Sequence, residues 1–235
     1  MDFLNYDKTK FDLLVGKLKD LNVTTETTKN SGKSGMVVED ALGIDANNNP
    51  HSDTPEFEIK SSQGICDITL FSKRPERGDT YRIVLEYGYL DKKNRQAFAA
   101  DISYNSSKLF CYANSGGVVI YDSITKEEIC YWGYEYLAVG FSKIKNILKV
   151  FVQRKKLKNG NEEHSVLSVD SFGTFKLNKF IDFINDGTIV ISPSRYFKSN
   201  TLNIRTGRYP SRDRGCKFRI DQKHFKDLYE TQTPH

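Results

Sequence analysis

The segment Asp53-Thr54-Pro55-Glu56-Phe57-Glu58-Ile59-Lys60 sets carboxylates and a lysine at the spacing used by metal-dependent phosphodiesterases. Alternate side chains of a β-strand share a face, so Glu58 and Lys60 point one way while Phe57 and Ile59 point into a core. Asp53 arrives from the preceding turn. Asp53 and Glu58 together can hold Mg²⁺, a hard cation that takes oxygen ligands, keeps several waters and is shared with substrate phosphate. Mn²⁺ is the expected substitute. Lys60 would then orient or help deprotonate an attacking water, while the metal polarises the phosphate and makes the water more acidic. Glu56 shares the face of Glu58 and competes for its role, and His51 lies close enough in sequence to merit a test. The plainer alternative is a strand with one wet face, which alternates apolar and charged residues in any case.

Several elements must position this segment. Phe11, Leu13, Leu14, Leu18 and Leu21 recur at helical spacing and predict an amphipathic helix over residues 6–21. A second helix is expected from near Ser34, after a polar loop at 24–32, and the turn residues 45–50 should end it and lead into the strand. Short β-branched or aromatic runs at 66–71, 81–87, 97–103, 108–113 and 118–121 read as strands. A helix at 134–145 precedes a hairpin whose strands, 148–156 and 163–170, flank the tight-turn pair Asn159-Gly160. A helix at 175–184, strands at 188–193, 202–206 and 216–220, and a helix at 221–229 complete an α/β chain with a mixed sheet of α+β character.

A length of 235 residues suits one large domain or two small lobes. The net charge is only +5, but the basic residues are unevenly placed. Lys73, Arg74 and Arg77 follow the acidic segment, and Arg205, Arg208, Arg212, Arg214, Lys217 and Arg219 crowd the C-terminal part. Such clustering beside an acidic metal site fits a polyanion, against the alternative of an ordinary solvated surface. Arg154, Lys155, Lys156 and Lys158 are expected merely to flank the hairpin turn. Cys66, Cys111, Cys130 and Cys216 form no CxxC pair, which speaks against a zinc knuckle or redox motif and for free thiols in a reducing compartment. The first residues lack a secretory pattern, and no apolar run approaches the ~20 residues that cross a bilayer. A soluble, cytoplasmic protein without membrane contact is expected.

The run Gly32-Lys33-Ser34-Gly35-Met36-Val37-Val38-Glu39 ahead of Leu42-Gly43-Ile44 resembles the helix that carries an additional acid in MutH-like nucleases, which adds Glu39 to the candidate site. Phe57-Glu58-Ile59-Lys60-Ser61-Ser62, followed by Leu70-Phe71-Ser72-Lys73-Arg74-Pro75, resembles the MvaI/BcnI family of type II restriction endonucleases. Arg212-Asp213-Arg214-Gly215 leading into Phe218-Arg219-Ile220 is similar to the C-terminal segment of the same family. The blocks occur in the family's order, which makes their conjunction more specific than any one of them. The resemblance implies a PD-(D/E)XK nuclease fold with Asp53 as first acid, Glu58 as second and Lys60 as the lysine. Ser52 stands where the motif has proline, a departure that affects only the shape of the turn. Also implied are a catalytic lobe, mainly 1–125, and a DNA-recognition lobe, mainly 126–235, with interleaving allowed. The family further implies a monomer that cuts the strands of duplex DNA in succession at a short, CCNGG-like site. A companion methyltransferase would act on that site without forming a stable complex.

Reading a base sequence needs donors and acceptors at base edges: Arg can fork onto guanine O6 and N7, and Asp can accept from cytosine N4. Arg212, Asp213 and Arg214 offer both and are expected in the major groove, with Arg205, Arg208, Lys217 and Arg219 shared between bases and phosphate. A loop that binds backbone only is the alternative. Ser61, Ser62, Lys73, Arg74 and Arg77 are placed to hold the scissile strand. Trp132 with Tyr131, Tyr134 and Tyr136 offers either base stacking or core packing, and His235, at the end of the chain, is expected to be disordered. Rival functions are a MutH-like mismatch-repair nickase, which would leave one strand uncut, and a catalytically inactive DNA-binding module, which would bind without cutting.

Overall fold

The computed structural model describes residues 8–26, 33–44, 53–54, 57–64 and 67–235. Along the chain run α1 (Lys8–Lys19), β1 (Asn22–Glu26), α2 (Lys33–Leu42), β2 (Glu58–Ser62), β3 (Asp67–Lys73), β4 (Arg77–Gly78), α3 (Thr80–Tyr87), β5 (Tyr89–Leu90), β6 (Gln96–Ala99) and β7 (Leu109–Ala113). There follow β8 (Gly117–Asp122), β9 (Glu128–Gly133), α4 (Tyr134–Lys143), β10 (Ile147–Lys156), β11 (Asn161–Phe175), α5 (Leu177–Asn185), β12 (Ile189–Phe197) and β13 (Ser211–Asp221). A short α6 (Gln222–Phe225), a 3-10 turn at Lys226–Leu228 and β14 (Tyr229–Pro234) end the chain. Two compact units result, one of Met1–Ile68, Phe141–Lys176 and Asp221–His235, the other of Thr69–Gly140 and Leu177–Ile220. Residues of both expected halves, 1–125 and 126–235, enter each unit, so interleaving rather than one boundary organises the chain.

The first unit rests on a sheet ordered β1-β11-β10-β2, with β14 also paired to β11. Hairpin β10–β11 turns at Asn159-Gly160, where Gly160 has φ of 85°, a conformation glycine takes at no steric cost. Strand β2 runs parallel to β10 and sets Glu58 opposite Ile147 and Lys60 opposite Lys149. Phe11, Val15 and Leu18 of α1 and Val37 and Val38 of α2 bury their side chains against Phe57 and Ile59. Burial of each large apolar side chain contributes ~1.5–3 kcal/mol, so this cluster fixes both helices relative to β2. The C-terminal residue is ordered by contact: the His235 ring lies 4.9 Å from that of Phe11, and its Nε2 is 2.9 Å from Ser171 Oγ. That corrects the expectation of a disordered end.

The second unit holds two sheets, ordered β3-β13-β12-β6-β5 and β4-β9-β8-β7. Trp132 is fully buried, meets Phe218 edge-on at 5.6 Å, and donates its indole N–H to the Lys73 carbonyl at 3.2 Å. Tyr131 and Tyr134 spend their hydroxyls on the Gly116 and Asn114 carbonyls. Trp132 is therefore a core residue. At Gly78, φ is 81° and a Cβ would sit 1.9 Å from the Ile129 carbonyl oxygen, so only glycine allows β4 to approach β9 this closely.

Some local expectations are overturned. Residues 81–87 form helix α3 rather than a strand: Asp79 caps it by accepting from Tyr81 N, Arg82 pairs with Glu86 one turn on, and Ile83 and Val84 are buried. The expected strand 202–206 is a turn, in which Asn203 Oδ1 accepts from the backbone of Arg205 and Thr206. This local hydrogen bonding outcompetes strand pairing. The final helix is shorter than its expected 221–229, because β14 begins at Tyr229, which pairs with Phe175 of β11.

Candidate active site

Strand β2 places Phe57 and Ile59 in the core of the first unit, as alternation predicts, but the opposite face is not wet. Only 3% of the Glu58 side chain is exposed. Lys60 Nζ lies 2.5 Å from Glu58 Oε1, and Lys143, the last residue of α4, has its Nζ 3.4 Å from Oε2. That second oxygen is buried and accepts no hydrogen bond among the described residues; Lys143 faces it as an ion-pair partner only. Burial pushes the Glu58 carboxyl up from its ordinary value, with Asp53 adding to the rise, and the ammoniums of Lys60 and Lys143 offset only part of it.

Asp53 is fixed from the strand itself, its Oδ2 accepting from Ile59 N at 2.9 Å. The turn that delivers it is closed by Thr54, whose Oγ1 donates to the Phe57 carbonyl and accepts from Phe57 N. Glu39 joins from α2: desolvation and the charges of Asp53, Asp40 and Glu58 raise its carboxyl, and Lys60 lowers it. Glu39, Asp53, Glu58 and Lys60 are thus brought into one electrostatic cluster within the first unit. Glu56, His51 and Ser52 lie outside the described residues, as do the turn at 45–50 and Cys66.

A polar latch seats α2. Ser34 Oγ, in its first turn, is 3.1 Å from His164 Nδ1, and His164 Nε2 is 3.2 Å from Thr25 Oγ1 of β1. Gln63, just past β2, donates its side-chain amide to the same Ser34 oxygen. Ser34 and His164 are buried, so the helix bearing Glu39 and the strand bearing Glu58 are tied at a shared point. Beside it Arg154 forks onto the fully buried Glu162 at 2.6 and 2.8 Å, an anchored role where only a solvated turn flank was expected. Ser61 lies beside Gly35 of α2, and Ser62 Oγ is buried without a hydrogen-bond partner among the described residues.

The remaining candidates lie in the second unit. Lys73 sits over the Tyr136 ring at 4.4 Å, and Arg77 sits over Tyr131 at 3.9 Å while pairing with Glu128. Arg74 faces Asp213, and Arg219 pairs with Asp101. Arg212 and Arg214 are exposed on alternate positions of β13, as is Lys217 beyond them, and Arg205 is exposed in the loop before it. Asp213 lies between the two arginines in sequence and points the other way. Its Oδ1 accepts from Gly215 N, and its Oδ2 is 3.5 Å from Arg195 Nη2. Sequence reading missed Lys143, Arg195 and Asp79. A lysine ending a helix reads as an ordinary C-terminal charge, and nothing local marks Arg195 as the partner of Asp79, over a hundred residues away in the chain, and of Asp213.

The donor set suits a hard cation. Glu58 Oε2 is an orphaned buried oxygen, and Asp53 Oδ1 accepts no hydrogen bond from the described residues. Among the described residues no three His, Cys, Asp or Glu side chains converge on a metal position. The fit is therefore one of two carboxylates, with water and phosphate completing the shell as Mg²⁺ prefers. Cys111, Cys130 and Cys216 are buried, and burial pushes the thiols of Cys111 and Cys130 up to about 12, so they are inert.

Glu58 and Lys60 thus share one strand, Asp53 is fixed to that strand's backbone, and the strand belongs to a mixed sheet. The chain belongs to the MvaI/BcnI restriction endonuclease family, whose model matches residues 15–229, and so to the sequence-specific type II restriction endonucleases. Among solved structures it is similar to a complex of restriction endonuclease MvaI with its cognate DNA substrate, at 18% identity and a TM-score of 0.77 over 96% of this chain and 97% of that one. It is also similar to MvaI in the absence of DNA, at 18% identity and a TM-score of 0.55 over 100% and 99% of the two chains. Comparison with curated proteins gives no match. No described helix is long and apolar enough to cross a membrane.

Proposed function

We propose that this restriction endonuclease hydrolyses phosphodiesters of duplex DNA with Mg²⁺ held by Asp53 and Glu58, Mn²⁺ serving as substitute. The observation that carries the reading is Glu58, a buried carboxylate with one oxygen bonded by Lys60 and the other, ion-paired with Lys143, accepting no hydrogen bond among the described residues. A divalent cation bound there supplies Lewis-acid polarisation of the scissile phosphate and neutralises developing charge. Lys60 orients the attacking water, Glu39 adds negative charge that favours the cation, and Lys143 steadies Glu58. Ser61, Ser62, Lys73, Arg74 and Arg77 hold the scissile strand.

Arg212 and Arg214 project outward for base contacts, and Arg205, Arg208, Lys217 and Arg219 divide between bases and phosphate. Asp213, turned inward, orients arginines instead of accepting from cytosine. The enzyme works as a cytoplasmic monomer on a CCNGG-like site, cutting the strands in sequence, with a companion methyltransferase protecting host DNA. Incubating the purified protein with a sequenced phage genome and Mg²⁺, then sequencing the ends, should give one short recurring target. Asp53→Ala and Lys60→Ala should still bind that duplex but not cut it. Full cutting by either variant sinks the assignment, nicking without linearisation by the native protein favours a nickase, and binding without cutting favours an inactive module.

A further inference from the structure

In the second unit the carboxylate of Asp79 is shared between a largely covered and an exposed guanidinium. Its Oδ1 caps α3 by accepting from Tyr81 N at 2.9 Å and also accepts from Arg195 Nη1, while its Oδ2 accepts from Arg208 Nη1 at 2.9 Å. Arg195, 14% exposed, reaches on to Asp213 and so serves as the counter-cation of both acids. Arg208 lies over the Tyr81 ring at 5.0 Å, and Tyr81 is itself pinned, packed on Phe197 and accepting at its hydroxyl from Tyr209 N at 2.7 Å. Burial would raise the Asp79 carboxyl, but the Tyr81 N–H and the guanidiniums of Arg195 and Arg208 outweigh it, so the group stays ionised.

Arg208 is thus held on one edge and one face, while its side chain remains 59% exposed and its Nε and Nη2 have no partner among the described residues. Two parallel donors on a fixed plane match guanine O6 and N7 in the major groove. A guanidinium ordered before binding loses less entropy on contact than a loose one. We propose that Asp79 is a specificity-determining residue that acts through Arg208, holding its outward edge in register to read one guanine of the target. This deepens the proposed function and rests on its reading of duplex DNA as the ligand.

The test uses the whole protein and a pool of duplexes with a randomised site. Binding selection without divalent metal makes the readout independent of whether the centre cuts, so failure of catalysis and failure of this fork are separable. Asp79→Asn keeps a good helix cap and removes the charge. Asp79→Asn, Arg208→Ala and Arg208→Lys should each lose about tenfold or more discrimination at the same G·C pair. The double variant Asp79→Asn/Arg208→Ala should be no worse there than Arg208→Ala alone. An unchanged base preference in Asp79→Asn overturns the proposal, as does uniform weakening across all sequences or a lower salt slope alone. Should Asp79→Asn fail to fold, Arg208→Lys decides on the same criterion, since lysine cannot make the fork.

Discussion

Replacing Ser34 with alanine should destabilise the protein and slow cleavage, although Ser34 is not itself a candidate ligand. The hydroxyl lies 3.1 Å from His164 Nδ1 and receives the Gln63 amide, in a site where Ser34 is 3% and His164 0% exposed. Each hydrogen bond is worth ~1 kcal/mol net, and a buried polar atom deprived of its partner costs ~1–3 kcal/mol. Alanine is the better helix former by about 0.5 kcal/mol, which offsets a small part. The expected loss is therefore about 2–3 kcal/mol, read as a lower urea midpoint at unchanged m. The same latch seats the start of α2, and Glu39 stands little more than one helical turn further on. Misplacement by ~1 Å can cost as much as ~100-fold, so a partial shift should slow the single-turnover rate about tenfold with little effect on DNA affinity. Ser34→Ala within ~0.5 kcal/mol of the native protein would show that the network contributes nothing. A destabilised variant that cuts at the native single-turnover rate would separate the latch from catalysis and refute the link to Glu39.

Glu58 supplies a pH signature in the metal-free protein. Burial raises its carboxyl in the folded state, so the folded chain holds that proton more tightly than the unfolded one, whose ordinary value is 4.5. The resulting stability is fully present below 4.5 and is lost as pH rises through the raised value. As pH falls through the raised value towards 4.5 the native protein should gain Tm relative to Glu58→Gln; parallel Tm curves would contradict the buried charge. Lys143→Met removes an ammonium that lowers Glu58, so the acid limb of the cleavage profile should move to higher pH. An unmoved limb would exclude Lys143 from the centre. Gly78→Ala should lower Tm by several degrees, because its Cβ would overlap the Ile129 carbonyl at a positive φ; a native Tm would mean that β4 shifts freely.

What could be read from the sequence was whatever local periodicity or chemistry marks. Alternation at Phe57, Glu58, Ile59 and Lys60 gave the directions of the strand, apolar spacing located α1 close to its ends, and α2 starts beside the expected Ser34. Residues 81–87 misled because Ile83, Val84 and two tyrosines carry strand propensity, whereas the cap at Asp79 and the Arg82–Glu86 pair, both visible in the sequence, decide for helix. Propensity is the weaker influence when capping and burial agree. Lys143 and Arg195 were beyond local reading, since their meaning comes from Glu58, Asp79 and Asp213, which only the folded chain brings near.

The two ion-paired clusters differ in a way that bears on function. Glu58 is almost wholly buried between ammoniums, one of its oxygens accepts no hydrogen bond among the described residues, and its carboxyl is raised. Asp79 is one-third exposed and saturated by a backbone N–H and guanidiniums, and its carboxyl is lowered. A carboxylate poised above its ordinary value has more to gain from a divalent cation than one already satisfied, because the cation relieves the cost of burying the charge. The acid of the proposed cutting centre thus accepts few hydrogen bonds from protein, and the acid behind the proposed reading edge is saturated. Chemistry requires the first to accept a new partner during each reaction, whereas recognition requires the second to remain in place.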